Sequence, residues 1–171
     1  MKIYHISENP DIKVFYPRPS PSEFDVVRGD VVFGISEKLL HNYLLPRDCP
    51  RVCFFISEKT TEADKLKFFG NTDAGFVVVL ESKWIDSILN TKIYCYELES
   101  SGFFLLDANA GYFASYKTTY PLSVRLIDNP LGEILRRNVE VRLVPSLRKI
   151  TEEVKHSTLG FSLIRMRNAM P

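Results

Sequence analysis

Lys2-Ile3-Tyr4-His5-Ile6-Ser7, closed by Glu8-Asn9-Pro10, is the stretch on which the reading of the fold turns. Side chains alternate across a strand, so Ile3, His5 and Ser7 share one face while Tyr4 and Ile6 share the other. A first strand that sets an imidazole and a hydroxyl side by side and breaks at Pro10 is expected to line a cleft rather than fill a core. The plainer reading is an ordinary hydrogen-bonded histidine on an edge strand.

Working outward, 171 residues suffice for one domain, 1–171, with a core of its own. With 45% hydrophobic and 25% charged residues and a formal net charge of +1, the composition is that of an ordinary globular protein. Nothing in it draws the chain as a whole toward nucleic acid or membrane, so any anion site must be local. Cys49, Cys53 and Cys95 are an odd number without framework spacing, which suits reduced thiols in a cytoplasm. Residues 1–30 hold no basic start followed by an apolar run. No apolar stretch approaches the roughly 20 residues that span a bilayer. A cytoplasmic protein without a membrane partner is therefore expected.

Asp11 to Phe15 reads as a short extended piece, and residues 16–30, with Pro17, Pro19, Pro21, Ser20, Ser22 and Gly29, as a surface loop carrying Arg18 and Arg28. Val31 to Ile35 is a buried strand, and Ser36 caps a helix that runs to Leu45 and stops at Pro46. Val52 to Ile56 is an interior strand. Thr61 with Asp64 opens a helix ended by Gly70. Phe76 to Leu80 is a strand, and Ser82 caps a helix carrying Trp84, Ile85, Ile88 and Leu89. Lys92 to Leu98 is expected to pair with Phe103 to Leu106 across Ser100-Ser101-Gly102 as a hairpin. Ser123 to Ile127 and Val139 to Val144 are strands, and Leu131 to Arg137 is a helix. Another helix starts at Pro145-Ser146, and a last amphipathic segment ends in Arg165-Met166-Arg167-Asn168. Without a steady β-α-β rhythm the class is α+β.

Phosphate-binding, dinucleotide, serine-hydrolase and zinc-protease signatures are absent. His41, Cys49 and Cys53 lack the spacing of a zinc knuckle, and no metal is expected. Cys49 stands between Arg47 and Arg51, a setting that favours either a reactive thiolate, with His5 or His41 as base, or an anion site in which the thiol is incidental. Tyr112 and Phe113 follow Gly111 and precede Ser115. That aromatic pair suits stacking on a planar heterocycle or plain core packing. Glu140 either pairs with Arg142 or Arg125 or faces a cleft, where it stabilises positive charge on a substrate.

Taken in order, Tyr-His-Ile-Ser around His5, Ala-Gly-Tyr-Phe-Ala-Ser around Tyr112 and Val-Glu-Val-Arg-Leu-Val-Pro around Glu140 resemble the ADP-ribosyltransferase superfamily in its His-Tyr-Glu branch. Lys92 to Leu98 followed by Tyr112 to Pro121 is similar to the small rifampin-modifying branch. The His-Ile-Ser-Glu-Asn-Pro-Asp-Ile start, the Leu-Pro-Arg-Asp-Cys-Pro-Arg centre and the Arg-Met-Arg-Asn-Ala end are similar to a family of uncharacterised small bacterial proteins, a likeness that carries no activity.

The superfamily resemblance implies an ADP-ribosyltransferase-like α+β domain, with split, mostly antiparallel sheets around a cleft and flanking helices, NAD as substrate, and mono-ADP-ribosyl transfer or NAD cleavage as the reaction, with the acceptor open. His5 and Ser7 would hold the sugar, Tyr112 would stack on nicotinamide beside Ser115, and Glu140 would stabilise the oxocarbenium charge. Tyr116 or Tyr120 could take the part of Tyr112. Arg18, Arg47 or Arg51 would neutralise the pyrophosphate. Asn138, two residues before Glu140, departs from the Glu or Gln of arginine-modifying members and argues against arginine as acceptor. A nucleic-acid acceptor is conceivable but gets no support from the net charge. Two alternatives stand beside the transferase: a non-catalytic module binding a nucleotide or a nucleic-acid end, and a hydrolase dependent on Cys49.

Overall fold

Alternating apolar patterns become strands in this chain, and proline, glycine and asparagine end them. The computed structural model describes residues 1–20 and 24–171. In chain order its elements are β1 (Ile3–Ser7), β2 (Val32–Ser36), β3 (Arg51–Phe55), α1 (Glu62–Phe69), β4 (Phe76–Glu81), α2 (Ile85–Asn90), β5 (Ile93–Leu98), β6 (Phe104–Asp107), β7 (Tyr112–Ser115), β8 (Pro121–Ile127), α3 (Pro130–Arg136), β9 (Val139–Val144), α4 (Arg148–Lys155) and β10 (Gly160–Ile164). Short 3₁₀ segments cover Glu37–Tyr43, Ser82–Trp84 and Met166–Asn168. The class is α+β, built on two mostly antiparallel sheets. Among the described residues no helix is long and apolar enough to cross a membrane.

The chain forms two compact units, Met1–Leu44 with Lys92–Asp128, and Leu45–Thr91 with Asn129–Pro171. The first holds a six-stranded sheet ordered β6-β7-β2-β1-β5-β8, antiparallel throughout. Ile3, Phe15, Val32, Tyr96 and Leu98 form its core on one face. The segment after β1 folds back over that face: the Tyr96 hydroxyl donates to Asn9 O at 2.6 Å and accepts from Ile12 N at 3.2 Å, and Phe15 bridges to Thr119. Gly34 must be glycine here, since a Cβ would run into Ile3 Cγ2.

The second unit holds a four-stranded sheet ordered β10-β3-β4-β9, in which β4 and β9 run parallel. Val77, Val78, Val79 and Leu80 are all buried, as an interior strand covered on both faces requires. Phe54 meets Phe68 and Phe69 edge to face, each at 5.6 Å, in a core closed by Leu147, Val154 and Leu159. Thr61 caps α1 by accepting from Asp64 N, and Asn129 caps α3 by accepting from Gly132 N.

Several expectations change. Phe104–Asp107 pairs with Tyr112–Ser115 and not with Ile93–Leu98, whose neighbours are β1 and β8. Tyr112 and Phe113 thus open a strand, with Gly111 at φ +67° as the hinge before it. Ser36 makes no side-chain cap, and the segment after it is 3₁₀ with a break at Leu39. Ser82 spends its hydroxyl on Val144 O at 3.3 Å rather than on a helix end. The amphipathic end of the chain is a strand followed by a 3₁₀ turn, entered through Arg165 at φ +55°. Arg18 pairs with Val31 through both backbone groups, so the proline-rich segment is tied down at that point. Pro21 and Ser22 lie outside the described residues.

Candidate functional site

The first unit contains His5, Ser7, Arg18, Tyr112 and Ser115, and the second contains Arg47, Arg51 and Glu140. Within the first, strand register sorts the side chains by face. Tyr112 stands opposite Ile35, and Ile35 stands opposite Tyr4. Residues directly across an antiparallel ladder share a face, so Tyr112 lies on the Tyr4 side. His5, one residue on, lies on the other. The sheet itself separates the imidazole from the phenol.

On its own face His5 is half-buried against Phe15, ring centroids 4.8 Å apart, and its Nδ1 is 3.2 Å from Phe33 O. A carbonyl only accepts, so Nδ1 carries the proton. Ser7 Oγ accepts from Asn9 N at 3.0 Å, and the buried Ser115 Oγ accepts from Lys117 N at 3.1 Å. Both hydroxyls shape turns. The Arg18 side chain is exposed.

The opposite face carries an aromatic chain that local sequence reading did not assemble. Phe24 lies 6.2 Å from Phe33, Phe33 lies 6.0 Å from Tyr112, and Tyr112 lies 5.2 Å from Tyr43. Phe24, Phe33 and Tyr112 are half-buried. Tyr43 is buried, and its hydroxyl donates to Ala110 O at 2.8 Å, anchoring the pile beneath. A Cβ on Gly111 would meet Ser36 Oγ and Leu39 Cβ at 2.7 and 2.8 Å, so glycine lets the strand bring Tyr112 against this segment. The alternation of Phe33 with Gly34 assigns Phe33 a face of its strand, and only the β2–β7 ladder brings that face beside Tyr112. Tyr116, one of the alternative stacking residues, is exposed, stacks on Phe104 at 5.5 Å and donates to Val26 O. Tyr120 is exposed.

In the second unit Glu140 forms a two-toothed pair with Arg142, Oε1 to Nε at 2.6 Å and Oε2 to Nη2 at 3.3 Å. Arg142 also donates to Phe68 O and lies over the Phe54 ring. Of the partners expected for Glu140, Arg142 is the one found. Its hydrogen bond holds the carboxyl below the usual range despite partial burial. Arg51 is buried and its Nη1 donates to Cys49 O at 2.8 Å and Pro46 O at 3.3 Å, which makes it a staple of the turn. Arg47 is exposed.

Cys49 does not become a thiolate between its arginines. It is fully buried, and burial pushes its thiol up to about 11 against the opposing pull of Arg51. Burial likewise pushes Cys53 up to about 12. Among the described residues no three His, Cys, Asp or Glu side chains converge to hold a metal ion.

Sequence reading also missed Glu81. Its carboxylate is wholly buried at the end of β4, accepting from Leu147 N at 3.3 Å and Met170 N at 2.8 Å, with Lys83 Nζ at 3.5 Å. Asn168 Nδ2 adds a bond to Asp48 O at 2.7 Å. The Pro-Arg-Asp-Cys-Pro-Arg turn and the Arg-Met-Arg-Asn-Ala end, far apart in the chain, are therefore neighbours in one unit.

No curated protein and no solved structure is significantly similar to the chain. A family model does match it, across residues 4–169, a span that takes in strands of both sheets and His5, Tyr112 and Glu140. The chain belongs to DUF6886, a family of unknown function.

Proposed function

We propose that the first unit binds the planar heterocycle of a nucleotide of the NAD type on the Tyr112 face. One observation carries the reading: Tyr112 lies at the centre of a run of rings that is anchored at Tyr43 and half-exposed at Phe33 and Phe24. Rings left half in water are what a flat π-system stacks on, and such stacking is worth about 1–3 kcal/mol per base. Calorimetric titration with NAD, ADP-ribose and AMP tests it. Tyr112→Ala should weaken binding by roughly 5- to 150-fold, the range that corresponds to that energy. Heat-silent titrations with all three ligands would remove the proposal.

Mono-ADP-ribosyl transfer or NAD cleavage is the catalytic form of the same reading. Its support is the order of the Tyr112 and Glu140 motifs along the chain, with His5 turned to the opposite face of the sheet from Tyr112 and so outside this site. Free nicotinamide measured after the titration decides between the forms. If the chain is a transferase, Glu140→Gln should stop nicotinamide release and spare NAD binding. Binding with no nicotinamide released by the unaltered protein identifies a non-catalytic module.

A further inference from the structure

A turn lies across the ring face beside Tyr112. Ala114 stands opposite Phe33 on β2 and opposite Phe104 on β6, so the three share a face, and Ala114 shares it with Tyr112 two residues before. Across the sheet that row reads ring, methyl, ring. Between rings carried two strand spacings apart, about 9.5 Å, a methyl leaves a hollow, and Ala114 is nonetheless wholly buried. What crosses the hollow is the turn at residues 24–28, closed by Val27 N donating to Phe24 O at 3.0 Å. At one end the Phe24 ring packs against Phe33 at 6.2 Å. At the other, Tyr116 stacks on Phe104 at 5.5 Å, and its hydroxyl accepts from Arg28 N at 3.1 Å and donates to Val26 O at 3.4 Å. A segment that reaches from the β2 ring to the β6 ring passes over β7, which runs between them.

We propose that residues 24–28 form a strap over the ring face, fastened by the Tyr116 hydroxyl, and that its release opens that face to a ligand. The fastening is light. Among the described residues that hydroxyl is the one group outside the turn that hydrogen-bonds to it, Val26 is 63% exposed, and Arg28 spends Nη1 on the neighbouring Val27 O. A segment with few buried contacts and solvent-facing hydrogen bonds opens at far lower cost than the whole fold. Tyr116 is therefore a positioning residue. Its ring is held by Phe104, its hydroxyl serves the turn both as donor and as acceptor, and it acts on the site through the strap instead of stacking on a ligand. What enters rests on the nucleotide reading above. A strap closed in the free protein lowers the apparent affinity by the fraction of time that it stands open, so loosening it strengthens binding through faster association.

Tyr116→Phe keeps the ring that stacks on Phe104 and removes both hydrogen bonds to the turn. By solution NMR of the intact chain, amide exchange at Arg28 should quicken about fivefold or more, the worth of one ordinary hydrogen bond. The Ala114 methyl signal should broaden more under a soluble gadolinium chelate, while the denaturation midpoint shifts little. Tyr120→Phe, at a tyrosine 59% exposed, should alter none of these. The readouts need no nucleotide, so NAD, ADP-ribose and AMP all proving heat-silent would sink the stacking reading and leave the strap to be judged on the amide and the methyl. With NAD as the probe, stopped-flow mixing should show association with Tyr116→Phe faster by a similar factor and dissociation unchanged. Unaltered exchange at Arg28, an Ala114 methyl no more exposed than before, a general loss of stability in their place, or NAD association equal or slower once the methyl is exposed would each overturn the proposal.

Discussion

Each of the two units holds a cluster of rings, and the two clusters are set differently. The four-stranded unit buries Phe54, Phe68 and Phe69 edge to face and closes over a carboxylate, Glu81, that binds two backbone amides. The six-stranded unit leaves Phe24, Phe33 and Tyr112 half in water and its β8 edge uncovered. Rings packed in a core supply stability, and rings kept partly wet remain available to a ligand. On the proposed reading, the half-wet rings of the six-stranded unit are the ones that meet a ligand.

The largest effect that would break this contrast comes from the packed unit. Phe54→Ala should cost about 3–5 kcal/mol in chemical denaturation and leave nucleotide titrations of the folded protein unchanged. Phe33→Ala should do the reverse, lowering affinity with a much smaller loss of stability. Equal destabilisation by the two would erase the distinction. Next, Glu81→Ala strands the buried amide of Leu147 and frees the part-buried amide of Met170, and should cost about 3 kcal/mol, with faster hydrogen exchange at those two positions. In the six-stranded unit, Gly34→Val forces a branched side chain into Ile3 and should cost about 1–3 kcal/mol. Thr61→Ala, which removes the α1 cap, should cost about 1 kcal/mol by the same measurement.

The smallest effect is a pH dependence. Arg142 depresses the carboxyl of Glu140 in the folded state, so the pair contributes stability above the ordinary value of 4.5 and loses that contribution as pH falls through the folded value. Denaturation of Glu140→Gln followed from pH 7 down to pH 3 should therefore decline less than that of the unaltered protein. Parallel declines would mean that the pair does not report on folding.

Most elements were legible because each depended on near neighbours in the sequence. The strand at Ile3–Ser7, the apolar runs at Arg51–Phe55 and Phe76–Glu81 and the Thr61 helix start follow from alternation, apolar continuity and capping residues. Partner choice was not legible. A Ser-Ser-Gly turn suggested pairing of Ile93–Leu98 with the next strand, yet β1 and β8 offer β5 longer complementary ladders, and β6 turns to β7 instead. The candidate site fared similarly. Tyr112 was visible from its glycine and its aromatic neighbour, whereas Phe33, Phe24 and Tyr43 are 69 to 88 positions away in the chain and join it only through the β2–β7 ladder and the 3₁₀ segment.

The sequence by itself determined the α+β class, the absence of familiar catalytic signatures and the positions of most strands, since these rest on local periodicity and on backbone preferences of single residues. Only the tertiary structure decided which face each strand turned to which neighbour. A shift of one residue in register exchanges the two faces of a strand, and register is set by partners remote in the chain. That is why His5 and Tyr112, equally prominent as motifs, lie on opposite sides of one sheet, and why Cys49, flanked by two arginines, is a buried and protonated thiol.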